Sequence, residues 1–302
     1  MPSATARSSA TISGALRRGR EAWSRFWFPT GPPHALALFR IGFGLVVLLR
    51  WLSLAPHVTL LLSNQGIYLP RIELPGGGPP PALAWALYLA AVASTGAVVL
   101  GLVTRLALLL QAVLLGYHWI VYFYATNFSY DALFLILTLC LVPSPCGRAL
   151  SLDARGSGTD ATASWPLWTQ RLICAQIALL YFGSAVFKIS SPAWNNGEVL
   201  FQTLQDMWAT GLGLRLIRLG LPRGVFDLAC YATIVFELSL PVMLSSRRWW
   251  GVAAGLGTLF HTTIAALLSI WQFLVVPPAY VLFADPEDVR RRVEAWTARF
   301  GR

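Results

Sequence analysis

A chain of 302 residues that is 56% hydrophobic and only 12% charged lacks the charge of a solvated globular surface, which is usually about 25%. With apolar runs along its whole length, it is predicted to be an all-α integral membrane protein, a polytopic helical bundle of about eight spans with interfacial helices. The net charge of +10 sits in short Arg clusters beside those runs, which argues for membrane lipids as partners and against nucleic acid.

Residues 1–33 have no apolar core and read as a disordered, basic cytoplasmic tail. The first span runs from about His34, after Pro32-Pro33, to Ala55. A loop with Pro70, Pro75 and the run Gly76-Gly77-Gly78-Pro79-Pro80-Pro81 follows, which no helix tolerates. Spans two, three and four are Ala82 to Leu100, Arg105 to Tyr124, and Tyr130 to Val142 before Pro143. Residues Ser151 to Ser164 read as a flexible loop. Span five is Leu167 to Lys188. The polar-studded stretch Pro192 to Leu221 reads as interfacial helices. Spans six, seven and eight are Phe226 to Leu244, Trp249 to Leu268, and Trp271 to Phe283. Residues 34–285 thus form one transmembrane domain, and 286–302 a basic cytoplasmic tail. Spans four and eight are shorter than the roughly 20 residues a bilayer needs.

The Arg clusters at 17–25, 148–171, 247–248 and 290–302 fall on one side if both termini are cytoplasmic, and the loops at 125–130 and 269–271 carry none. The exception is 188–223, which lies outside with Lys188, Arg215, Arg218 and Arg223.

Ionisable groups inside a membrane are site candidates because they are expensive to place there. Here they are Arg40, Arg50, His118, Asp131, Lys188, Glu237 and His261. Of 23 basic residues, Lys188 is the only Lys. Desolvation can leave a Lys neutral and able to accept a proton, which no Arg does. Tyr181, Ser184 and Lys188 share one helix face. The plainer reading of Lys188 is an anchor reaching from the helix end to lipid headgroups. His118 and His261 suggest a shared polar cavity without metal spacing, so no metal is expected. Glu237 lies four residues before Pro241, at a kink, as a buried carboxylate either neutral or paired with Arg40 or Arg50. Cys140, Cys174 and Cys230 read as packing residues. Cys146, in the loop Pro143-Ser144-Pro145-Cys146-Gly147, is the one expected to be accessible.

The segment Tyr181-Phe182-Gly183-Ser184-Ala185-Val186-Phe187-Lys188-Ile189, followed by Trp194, Asn195, Asn196, Gly197 and Glu198, resembles the HTTM family, the membrane module shared with vitamin K-dependent γ-carboxylase. Weaker matches are Ala37-Leu38-Phe39-Arg40-Ile41, Asn127-Phe128-Ser129-Tyr130, and Phe260-His261 followed by Phe273. The resemblance covers about residues 34–285 and is to a stand-alone bacterial-type member, which implies the bacterial inner membrane. It implies a quinone or hydroquinone as cofactor, with the role of base falling on Lys188. Together with the ionisable groups above, it makes Tyr181, Ser184, Trp194, Asn127, Tyr130, His118, Glu237, His261 and Arg40 candidates for the ligand pocket. Phe128 stands where the carboxylase has His, and no counterpart of its large lumenal domain follows, so glutamate carboxylation is not expected. Two functions remain: a quinone-type redox protein, with a pocket between spans three, five, six and seven and a membrane or small redox partner protein, or a non-enzymatic immunity, export or partner subunit whose polar groups only hold helices together.

Overall fold

Hydrocarbon offers the backbone no hydrogen-bond partner, so long apolar runs satisfy their own amides as helices. The computed structural model describes residues 17–66, 72, 77–121, 129–157 and 163–300. Residues 17–27 form helix α1. Helix α2 (His34–Leu54) continues through a 3₁₀ turn (Ala55–His57) into α3 (Val58–Leu62). Next come α4 (Pro81–Leu100), α5 (Thr104–Val121), the shorter α6 (Ser129–Leu141) and a small α7 (Leu152–Ser157). Helix α8 (Trp168–Ile189) precedes three short helices, α9 (Pro192–Asn195), α10 (Glu198–Thr203) and α11 (Gly211–Arg218). The order ends with α12 (Arg223–Ser245), α13 (Trp250–Leu267), two 3₁₀ segments (Trp271–Val275 and Pro277–Phe283) and α14 (Pro286–Phe300). A two-residue antiparallel ladder pairs β1 (Thr30–Gly31) with β2 (Trp165–Pro166).

Among the described residues, six helices are long and apolar enough to cross a membrane: His34–Leu62, α4, α5, α8, α12 and α13. Helix α6 and the 3₁₀ pair Trp271–Phe283 are the two shorter apolar segments. The all-α membrane architecture and all eight expected apolar segments are therefore present. The eighth is two tight 3₁₀ pieces because Pro277 and Pro278 interrupt an α-helical ladder. Helices α9 to α11 are at most 8 residues long, so none reaches across hydrocarbon. Two expectations are corrected. Residues 17–27 of the supposed disordered tail are helical, with Trp23 and Phe26 exposed at an i, i+3 spacing. Residues 152–157 of the supposed flexible loop are helix α7, held by Asp153 as described below. The basic C-terminal segment forms helix α14, with Glu287 and Asp288 in its first turn and Arg299 in its last, as the helix dipole favours.

The first span is central. It packs against α4, α14 and both 3₁₀ segments, and 61% of its apolar window is buried, against 17% for α13 at the rim. Rim helices turn Leu106, Val113, Leu179, Leu228, Val235 and Leu259 outward, which suits lipid and not water. One end of the bundle gathers the β1–β2 ladder, the Leu167 amide on the Pro29 carbonyl (2.8 Å), and Arg247 on Asp285 and Asp288 at the start of α14. Both terminal helices and the 148–171 and 247–248 Arg clusters therefore share that end. The α8–α9 and α11 region closes the other, where Thr210 and Ser269 bond across between α11 and the end of α13.

A staple fixes the α4–α5 turn. Arg40, 0% exposed, donates from Nη1 to the Val98 and Val99 carbonyls and from Nη2 to Leu150 (2.6 Å). It thus places a cation at the C-terminus of α4, where the helix dipole is negative, and shares the Val98 carbonyl with the Gly101 amide. Gly101 has φ 68°, and a Cβ there would lie 2.6 Å from Arg40 Nη1. Across the same turn the Asp153 carboxylate accepts from the Val103 and Thr104 amides and the Thr104 hydroxyl, each at 2.7 Å, at the start of α5. Burial opposes the Asp153 charge, but these bonds and the Arg40 guanidinium hold its carboxyl below the usual value. A depressed folded value means the native state binds fewer protons than the unfolded chain. The stabilisation is complete above about pH 4, the ordinary Asp range, and is lost as pH falls through the folded value. Asp153→Asn is expected to lower the melting temperature in detergent at pH 7 and to flatten the acid limb of the stability profile. An acid limb identical to wild type would contradict this role.

Candidate functional site

Helix α8 carries Tyr181, Ser184 and Lys188 on one face, as their spacing dictates. Lys188, in its last turn, reaches Glu237 of α12, with Nζ 2.8 Å from each carboxylate oxygen. It also donates to Ser184 Oγ at 2.5 Å, and Ser184 donates to Glu237 Oε1 at 3.2 Å. The Trp194 ring lies 4.8 Å from Nζ, a cation–π distance. The side chains of Lys188 and Glu237 are only 11% and 7% exposed. All three N–H bonds of the ammonium are therefore used inside the protein. The expected partners of Glu237, Arg40 and Arg50, are engaged elsewhere. Arg50 pairs with Asp131 at 3.5 Å and stands over the Tyr130 ring.

Further along α8, the Tyr181 hydroxyl lies 2.7 Å from His261 Nε2 on α13 and 2.5 Å from the Tyr280 hydroxyl. Tyr280 is itself fixed by Trp250 Nε1 donating to its carbonyl at 2.8 Å. Between these two polar groups is a cavity of about 310 Å³, walled by α8, α12 and α13, with Leu180, Val199, Ile264 and Phe273 among its apolar lining. Mostly apolar walls with a few converging polar groups are what small-molecule sites share.

Helices α9 and α10 roof this cavity. Asn195 Nδ2 donates to the Ile189 carbonyl (3.0 Å), and Tyr231 of α12 donates to the Asn195 carbonyl (2.6 Å). Gly197, at φ 69°, lies so close to α12 that a Cβ would sit 2.1 Å from Asp227 Oδ1. The Trp194-Asn195-Asn196-Gly197 turn is thus a clamp that brings Trp194 over Lys188.

A model of the HTTM domain matches residues 28–287, most of the chain and every wall of this cavity. The chain belongs to the HTTM family. Searches of curated proteins and of solved structures gave no match.

In this HTTM protein the sequence-predicted residues divide. Lys188, Tyr181, Ser184, Trp194, Glu237 and His261 line one cavity. Tyr130 stands behind its wall, edge-on to Phe273 at 6.0 Å. His118 and Arg40 lie elsewhere. Helix α5 packs on α4 and α6, so span three does not reach the cavity, and His118 stacks edge-on to Trp51 at 5.3 Å. Arg40 is held at the α4 end, as above. Asn127 and Phe128 lie outside the described residues. Cys146 is not accessible: it is 1% exposed beneath its loop, and burial pushes its thiol up. Among the described residues no three His, Cys, Asp or Glu side chains gather as metal ligands. Sequence reasoning misses Tyr280, since nothing in a sequence pairs two hydroxyls 99 positions apart.

An isolated charge left in such a site is costly, whereas removing both partners is nearly neutral. Lys188→Met or Glu237→Leu alone is expected to cost about 3–5 kcal/mol of stability, and the double variant to recover most of it. Thermal unfolding of the four proteins in one detergent checks this. Additive losses would show that the two charges do not act as a pair.

Proposed function

We propose that this HTTM protein binds a quinone or hydroquinone in the cavity beside Lys188, with Lys188 as the proton-accepting residue. The observation that carries the reading is an ionisable Lys, the chain's only one, held against a carboxylate at the edge of an apolar cavity. The lining fits the group: apolar walls suit a ring and its tail, and polar side chains stand at two points to meet ring oxygens. A bound hydroquinone supplies an acidic hydroxyl and two electrons. The residues do the rest. Transfer of one proton within the pair, from the Lys188 ammonium to the Glu237 carboxylate, gives an amine and a carboxylic acid, so that no net charge is created beside the apolar cavity. The freed amine then accepts a proton from a hydroxyl, with Ser184 orienting Nζ and Trp194 covering it from solvent. We further propose that the chain sits in a bacterial inner membrane with both termini cytoplasmic, the end at which its Arg clusters gather, and that a membrane or small redox protein is its partner.

A second reading has its own observation. Every N–H of Lys188 is already bonded to Ser184 and Glu237, which suits a non-enzymatic subunit in which the pair only ties α8 to α12. Lys188→Arg separates the two, because Arg keeps a charge and donors for Glu237 but gives up no proton. In nanodiscs supplied with a soluble electron acceptor as the oxidant, hydroquinone oxidation is expected to fall at least about 100-fold in both Lys188→Arg and Lys188→Ala, while Lys188→Arg keeps near-wild-type thermal stability. An Arg variant that turns over like wild type would make Lys188 an anchor and end the enzymatic reading.

A further inference from the structure

Resting on the reading that a quinone-type ligand enters the cavity, we propose that His261 Nδ1 donates a hydrogen bond to a ring carbonyl of that ligand and makes the site selective for a carbonyl-bearing ring. His261 lines the cavity, is 6% exposed, and its Nδ1 has no hydrogen-bond partner. Which atom carries the ring proton follows from the hydroxyls beside it. Tyr181 has one hydrogen and two neighbours, His261 Nε2 and the Tyr280 hydroxyl. If Tyr280 donates to Tyr181 and Tyr181 to Nε2, both hydroxyl hydrogens are used and the imidazole proton is on Nδ1. The reverse order leaves the Tyr280 hydrogen without an acceptor in a buried place, as well as an unused lone pair on Nδ1. The first order strands a single donor, Nδ1–H, and a stranded buried donor is what a ligand oxygen relieves.

The contrast with Lys188 gives this donor its role. The Lys188 ammonium spends its three N–H bonds on Ser184 and Glu237, so His261 holds the donor still available to the ligand. Tyr181, the anchor of His261, precedes Lys188 by seven residues, about 10 Å along the α8 axis. The cavity thus has two separate polar points, a proton-accepting pair and a carbonyl-holding imidazole. A ring with oxygens on opposite edges can address both.

Two substitutions divide the imidazole. Asn at 261 sets an amide N–H near Nδ1, and Gln sets one near Nε2. The measurements are affinities in nanodiscs for a tailed 1,4-naphthoquinone and for the same tailed naphthalene without carbonyls, together with the infrared carbonyl bands of the bound quinone. Wild type and His261→Asn are expected to prefer the quinone by about tenfold or more, the value of one hydrogen bond. His261→Gln is expected to lose about tenfold on the quinone alone, together with the downshifted carbonyl band. If His261→Gln does not fold, Tyr181→Phe serves: without the hydroxyl at Nε2 the tautomer is no longer fixed, and the preference falls several-fold. A quinone preference and carbonyl band unchanged in the variants overturn the inference and leave the quinone reading intact. A wild type that binds both compounds equally overturns the inference alone, and one that binds neither overturns both. Loss of the Lys188-dependent turnover alone leaves the assignment of His261 standing.

Discussion

A charge at hydrocarbon depth has no water to answer it, so it persists only beside a protein group that does. The first span and α8 carry three such charges, and each is answered differently. Arg40 meets only carbonyls, at the end of α4 and at Leu150. Arg50 meets Asp131 and the face of Tyr130. Lys188 meets Glu237 and Ser184. The helix order follows from these pairings, because each joins elements far apart in the chain: α2 to α4 and to α6, and α8 to α12.

The three differ in what they can do besides holding helices. The two Arg charges are permanent and sit in packed surroundings, so they are fixed points of the scaffold. The Lys188–Glu237 pair lies at the margin of a cavity. In the function proposed above, a proton exchanged within the pair turns a tie between helices into a base. The same interaction therefore accounts for the stability of the α8–α12 contact and for the chemistry proposed there. Tyr181, His261 and Tyr280 form a second polar group two turns along α8, where hydrogen bonds between neutral groups replace charge.

Much of this was legible in the chain. Apolar runs and proline breaks locate the spans to within a few residues, since in hydrocarbon a run of that length has few alternatives to helix. The face shared by Tyr181, Ser184 and Lys188 is a local property of one helix and follows from its period. Glu237 is recognisable as a buried carboxylate, but its partner is not, because partner choice depends on how α8 and α12 lie together. His118 shows the limit from the other side: a buried His in a span looks like a pocket residue until the packing of α5 is known. Composition reads residues 17–27 and 152–157 as unstructured, yet the first are a helix with Trp23 and Phe26 at helical spacing, and the Asp153 staple holds the second. Neither effect is carried by composition.

The account depends on the cavity beside Lys188 being a ligand site and not a packing gap among lipid tails. The most direct measurement is mass spectrometry of the lipid-soluble molecules that co-purify with the wild-type protein and with the Lys188→Met, Glu237→Leu double variant. The double variant removes the polar pair and, by the argument above, keeps the fold. The account predicts a quinone at close to one per wild-type chain, lost in the double variant while the phospholipid content stays the same. A wild type that carries phospholipid only, or equal quinone in both proteins, would contradict it.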